Sequence, residues 1–305
     1  MDNRHLQSLT QLKPGSGLAR AGATLRAGTA DIVASRAVIW WHVLLCAIAV
    51  LNVILWSRSA YLVTHAPAGN HAIADAASRL QLLLSAAYVF GCAFRSVLPV
   101  YDIPRIVLVN SRLSSVIVGR SIATVAELCF AAQWALMLHQ MALLSASLPA
   151  QIASLLIVPL IVLAEVCSWY AVLTTAQRAH AFENSLWGIA AALVVAGLLV
   201  VDPHRVARLH LPMIAWCVGG TAYVMYIFLF DVPAYWSRWR TDQANGRQYL
   251  SIGQGFIDTC RRRIVSYRWE SWKAEILWMS LYFSGGVWSS ISLVYAAMIL
   301  GGQST

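Results

Sequence analysis

Charge is scarce in this chain. Only 11% of its 305 residues are Asp, Glu, Lys or Arg and 59% are hydrophobic, whereas soluble domains carry roughly 25% charged residues because their surface must meet water. So little charge excludes an ordinary soluble globular fold. Lysine is almost missing: Lys13 and Lys273 stand against twenty arginines. A retinal-type Schiff base needs a desolvated lysine inside a helical bundle, and Lys273 only precedes the last apolar segment. The six cysteines contain no CxxC, which leaves no zinc or disulfide framework and reads as small buried hydrophobes. The eight histidines contain no HxxH or HxxxH, excluding the pattern of membrane di-iron enzymes. GxSxG, GxxxxGK[ST], HExxH and GxGxxG are absent too, so no hydrolase, nucleotide or protease fingerprint names a reaction.

What the chain has instead is apolar length. Crossing the hydrocarbon core takes about 20 predominantly apolar residues in a helix. Seven segments approach that standard: Ala37–Trp56, Leu80–Val100, Ser115–Leu143, Ile152–Ala176, Leu186–Val201, Leu211–Phe230 and Ile276–Leu300. The fold class expected is therefore an all-α membrane protein, a bundle of about seven transmembrane helices. Arg95 falls inside the second segment, near its end, where a long side chain snorkels to the interface.

The basic residues give an orientation. Eighteen of the 22 Lys and Arg lie before the first segment or in the second, fourth and sixth connections with their edges. Only Arg58, Arg79, Arg205 and Arg208 fall on the alternate side. The positive-inside rule then puts the N-terminus in the cytoplasm and the C-terminus outside, as in a bacterial inner membrane; an organelle membrane is the alternative. Residues 1–36 read as a basic cytoplasmic tail rather than a secretory signal, and their Ala, Arg and Ser content also suits a transit peptide. The net charge of +9 follows from this topology and signals no nucleic-acid partner. The partners expected are the bilayer and its anionic inner-leaflet lipids, with a homo-oligomer or larger membrane complex left open.

Residues 231–273 are the sizeable connection. Asp231-Val232-Pro233 is expected to end the sixth helix at the proline. The interleaving of Trp236, Arg238, Trp239 and Arg240, and of Arg261, Arg262, Arg263, Tyr267, Arg268, Trp269 and Trp272, suits a segment lying among lipid headgroups. Residues 274–305 are the seventh helix and a short outer tail, with Glu275 read as a cap favoured by the helix dipole.

The most informative residues are acids within apolar segments. Glu127 sits near the middle of the third and Glu165 near the middle of the fourth, and the midpoint between them, residue 146, falls in the short uncharged connection between these helices. In an antiparallel hairpin, residues equidistant from the turn share a depth, so both acids should be level near mid-membrane. A carboxylate there costs on the order of 3 kcal/mol and should face the bundle interior. Two close carboxylates share a proton or a cation. Arg120, two turns before Glu127, is a candidate partner, with Gln133, Trp134, Ser168, Trp169 and Tyr170 nearby. Pro159 is expected to kink the fourth helix and free the carbonyl of Leu155.

Arg178, His180, Glu183 and Asn184 form a polar cluster at the cytoplasmic end of the fourth segment, read as a gate or as a turn in which Asn184 caps the fifth helix. Asp231 and Arg238 are candidate headgroup contacts. No cofactor is expected. Haem b held by His42 and His180 is a minor alternative, and a metal held by His65, His71 and Asp75 lacks a fourth ligand. The leading function is a transporter or channel-like protein for a proton, cation or small solute. The alternatives are a membrane-embedded enzyme acting on a lipid or apolar substrate and a non-catalytic subunit or scaffold of a membrane complex.

Overall fold

A computed structural model describes residues 16–65 and 72–301, with side chains placed for 35–65 and 76–301. The alternative of a transit peptide falls partly, and His71 of the metal reading wholly, outside these residues. The structure is 84% helical, and seven of its helices are long and apolar enough to cross a membrane.

The first helix, α1 (Ser16–His65), runs 50 residues, or about 75 Å at 1.5 Å per residue. It outlasts a hydrocarbon core of about 30 Å, and its apolar window begins only at Ser35. Next come α2 (Ala72–Val97), α3 (Val116–Leu144), α4 (Leu148–Thr174) and α5 (Gln177–Leu199). The α3–α4 turn is three residues long, with Ala146 in the left-handed region at φ 52°. Pro159 lies inside α4, which continues through it.

Two further spans are compound helices. Helix α6 (His210–Tyr226) passes through a π-helical segment, Ile227–Asp231, into α7 (Val232–Ala244). Pro233 therefore does not end the sixth helix, contrary to expectation. In the π segment the amide of Val232 bonds back five residues to the Ile227 carbonyl. The helix restarts beyond it with the proline in its first turn, where a missing N–H is tolerated. The last span likewise joins α9 (Trp269–Leu281) to α10 (Val287–Gly301) through a second π segment, Tyr282–Gly286. Its start at Trp269 places Glu275 in the second helical turn, not at a cap. The fifth helix also starts earlier than its apolar run. Arg178–Asn184 thus form its first two turns, and Asn184 Nδ2 of the side chain donates to the His180 carbonyl (3.0 Å) instead of capping.

The connection after α7 folds into a cap over one end of the bundle. Strand β1 (Val100–Tyr101) pairs antiparallel with β2 (Ile106–Val107), and β2 pairs in parallel with β3 (Ile264–Val265). Between α7 and β3 lies α8 (Ile252–Arg261), begun by a reciprocal capping box of Ser251 and Gln254. The segment thus has tertiary structure of its own, beyond the headgroup-lying connector its composition suggested. Tyr267 donates to the Leu108 carbonyl (2.8 Å), and the buried Trp272 donates to the Ser266 carbonyl (2.8 Å).

Helix α8 lies directly on the end of α4. The Leu250 amide bonds the Thr174 carbonyl (3.1 Å), and a Cβ on Gly255 would sit 1.9 Å from the Leu173 carbonyl oxygen. Only glycine permits that approach. Gly255→Ala is expected to lower stability by about 1–3 kcal/mol through overpacking, read as a fall in melting temperature in detergent. An unchanged melting temperature would show that α8 is not seated on α4.

The interior is layered along the bundle. A large apolar cluster, including Met137, Leu138, Met141, Ile157, Ile161, Leu198 and Leu293, fills the half remote from the cap. A smaller group, Val100, Val107, Val116 and Val172, underlies the sheet. On α3 and α4 the polar residues lie between the two.

Candidate functional site

Arg120, Thr124 and Glu127 are spaced four and three residues apart on α3, which puts them on one helical face. Glu127 is about 16 Å from the start of α3 by helical rise. Across from it on α4 stand Glu165 and Ser168, three residues apart. All but Thr124 are buried, with Arg120 5%, Glu127 6% and Glu165 4% exposed. The small residues Ala123, Ala126 and Ala164, each nearly inaccessible, allow the neighbouring helices to close around them.

One guanidinium nitrogen holds both acids. Arg120 Nη2 donates to Glu127 Oε2 (2.8 Å) and to Glu165 Oε1 and Oε2 (2.9 and 2.7 Å). The two carboxyl groups are also within hydrogen-bonding reach of each other. Thr124 Oγ1 donates to Glu165 Oε2 (2.5 Å), and Trp169 Nε1 in turn donates to Thr124 Oγ1 (3.0 Å). From the last span, Tyr282 donates its hydroxyl to Glu127 Oε1 (2.9 Å).

Helix α5 adds a third acid. Glu183 Oε1 lies 3.8 Å from Arg120 Nη1, and its other oxygen lies 2.7 Å from His180 Nδ1. His180 also packs on the Tyr235 ring at 5.2 Å between centroids. Residues read from sequence as a gate at the helix end therefore belong, in part, to the buried cluster. Two polar atoms beside it have no hydrogen-bond partner although they are buried: Arg120 Nε and Ser168 Oγ. An unsatisfied buried group costs about 1–3 kcal/mol.

A wider ring of charge surrounds this centre. Arg95 is within electrostatic reach of Glu127 and of Glu275. Asp231 is within reach of His180, Glu183 and Arg238, and Glu275 within reach of Asp102, Asp231 and Arg238. Asp231 is half-buried. Arg238 is exposed and lies over the Tyr235 ring at 5.1 Å.

Other residues read as neighbours are placed elsewhere. Gln133 is fully buried in a separate amide node, where it bonds Gln81 and Ser290 against α2 and α10. Trp134 packs edge-on to Trp216 at 5.4 Å, outward of the acids. Tyr170 is 49% exposed on the outer face of α4, because it is five residues from Glu165 and a helix turns through 3.6 residues. Arg178 is exposed as well. His42 and His180 are engaged separately, the first with the Val97 carbonyl (3.0 Å) and the second with Glu183. Among the described residues no group of three or more His, Cys, Asp or Glu could hold a metal ion.

Sequence reasoning missed Thr124 and Tyr282. Thr124 was recoverable, since it lies on the Arg120–Glu127 stripe. Tyr282 was not, because its contact crosses 155 positions. No family model, curated protein or solved structure matches the chain.

Proposed function

We propose that this chain is a multi-pass membrane transporter for a proton or cation, with Arg120, Glu127, Glu165 and Glu183 as its charge-binding centre. The observation that carries the reading is a charge imbalance. One guanidinium contacts three carboxylates, and even a protonated His180 leaves one more negative than positive charge in contact. An uncompensated buried charge is neutralised by proton uptake or by an ion. Carboxyl groups of different helices held on one arginine can exchange such a partner when the helices shift. The orphaned Arg120 Nε and Ser168 Oγ give a passing water or ion further polar contacts.

The cytoplasmic orientation of the N-terminus rests on the excess of Arg and Lys at the cap end. Arg261, Arg262 and Arg268 are exposed there beside exposed Ile252, Phe256 and Tyr267, a combination suited to anionic headgroups.

The test is flux in proteoliposomes, with an entrapped pH dye and a panel of cations. Glu165→Gln keeps the shape but cannot ionise. It is expected to lower flux by about 100-fold, the order lost with a proton-transferring carboxyl, while the melting temperature stays near that of the wild type. Wild-type liposomes no leakier than empty ones, for protons and for every cation offered, would overturn the reading.

A further inference from the structure

The two compound helices face each other along one seam. On α6, Trp216, Gly219, Tyr223 and Tyr226 fall three, four and three residues apart, a single helical stripe. Trp216 Nε1 donates to Ser292 Oγ on α10 (3.0 Å). Toward the cap, Tyr223 and Tyr226 both stack on Trp278 of α9 with centroids 6.2 Å away. The helices thus touch through side chains at two levels. Between those levels stand Gly219 and Gly285, and a Cβ on either would meet no atom within 4 Å. Both are exposed. The seam therefore has a gap at mid-length.

Its floor is α3. Trp134 packs against Trp216, Phe130 against Trp134 (6.4 Å), and both remain part-exposed although α3 packs between neighbours on both sides. One turn toward the cap is Glu127, bonded to Tyr282 and within electrostatic reach of Tyr223. Aromatic faces bordering the gap and a negative centre at one end form a complementary pair of surfaces. Ring faces attract cations, most strongly when the cation is desolvated. The π segment Tyr282–Gly286 contains Gly285 itself, and Ile227–Asp231 follows directly on Tyr226 at the cap end of the α6 stripe; such bulges are frequent at functional sites.

We propose that this gap is a lateral binding site for a lipophilic organic cation of the quaternary ammonium or phosphonium class, entering from the bilayer. The aromatic rings hold the apolar body, and the Glu127 end draws the charge. The opening toward lipid suits a ligand that partitions into the membrane before it binds. This assignment names the ligand of the carboxylate centre and so rests on the charge-binding reading above.

The experiment is equilibrium binding of tetraphenylphosphonium to the full chain in mild detergent, followed by tryptophan fluorescence and calorimetry. Triphenylphosphine oxide is the neutral control. The wild type is expected to prefer the cation by at least tenfold. Gly219→Leu fills the gap and should weaken binding at least tenfold with melting temperature unchanged, and Trp278→Ala should weaken it while Trp278→Phe retains it. Equal affinity for the neutral control, or no binding by a folded wild type, overturns the assignment. So does undiminished binding by a folded Gly219→Leu together with Trp278→Ala. Flux without tetraphenylphosphonium binding rejects this site and leaves the transport reading standing; binding without flux of any ion supports the site and rejects transport.

Discussion

Arg120→Met is expected to be the most damaging single substitution in the bundle. Among the described residues Arg120 is the only cation in direct contact with Glu127 and Glu165, and it also faces Glu183. Removing one partner of a buried ion pair costs about 3–5 kcal/mol, because the charge left behind has lost its compensation. Here several charges are left. Against a total stability of about 5–15 kcal/mol, the variant should extract poorly and melt far below the wild type. The same physics predicts a rescue. Arg120→Met combined with Glu127→Gln and Glu165→Gln removes two of the three stranded charges and leaves Glu183 to His180 (2.7 Å), and a neutral, well-packed replacement of a buried ion pair is often tolerated. The triple variant should recover most of the lost melting temperature without recovering flux. Protonation would relieve the stranded carboxylates as well, so the deficit of Arg120→Met should narrow as pH is lowered. A deficit that is flat with pH and not rescued by the triple variant would show that arginine's volume, not its charge, holds these helices.

Part of this arrangement was legible in the residues. Backbone polar groups have no partner in lipid except one another, so a long apolar run leaves helix as its only spanning form. That constraint makes seven helices readable from composition alone. That the two acids share a level along the hairpin was readable for a related reason: a short α3–α4 turn fixes the register of an antiparallel pair, and Glu127 and Glu165, both reached by Arg120 Nη2, lie symmetrically about it. Rotation was not. Whether a side chain faces a partner depends on contacts across helices, and Gln133 and Tyr170 show the consequence, one in a separate buried node and the other on the outer surface. Helix starts were misplaced wherever polar residues occupy helical turns, as at Arg178–Asn184, because hydropathy marks the apolar stretch rather than the hydrogen-bonded one. The cap was hidden for a topological reason. Its strands are two residues long, and Val107 pairs with Val265, a partnership that no local periodicity announces.

Arg105 is expected to be the pin that holds this cap to the bundle. It is 1% exposed and sits between β1 and β2, in the left-handed region at φ 77°. For a residue with a Cβ that conformation is unfavourable by about 1 kcal/mol or more, and the side chain's bonds offset it. Nε donates to Asp258 Oδ2 of α8 (2.9 Å), Nη1 to the Asp102 carbonyl (2.7 Å) and Nη2 to the Val172 carbonyl of α4 (2.8 Å). One side chain thereby ties the β1–β2 loop, α4 and α8. Hydrogen bonds to charged groups contribute about 1.5–3 kcal/mol each. With three such bonds lost, Arg105→Met should therefore free the cap locally by an amount corresponding to about a 1,000-fold greater opening, at roughly tenfold per 1.4 kcal/mol. Amide hydrogen exchange reads this directly. The amides of Leu250, Ile264 and Ser266, which bond the Thr174, Arg105 and Val107 carbonyls, should exchange faster by about that factor, while amides in the middle of α3 and α4 keep their protection. Acceleration spread evenly over cap and bundle would mean that the two open together and that Arg105 stabilises the whole chain. No acceleration would mean that the β2–β3 ladder and the α8–α4 contact suffice without the arginine.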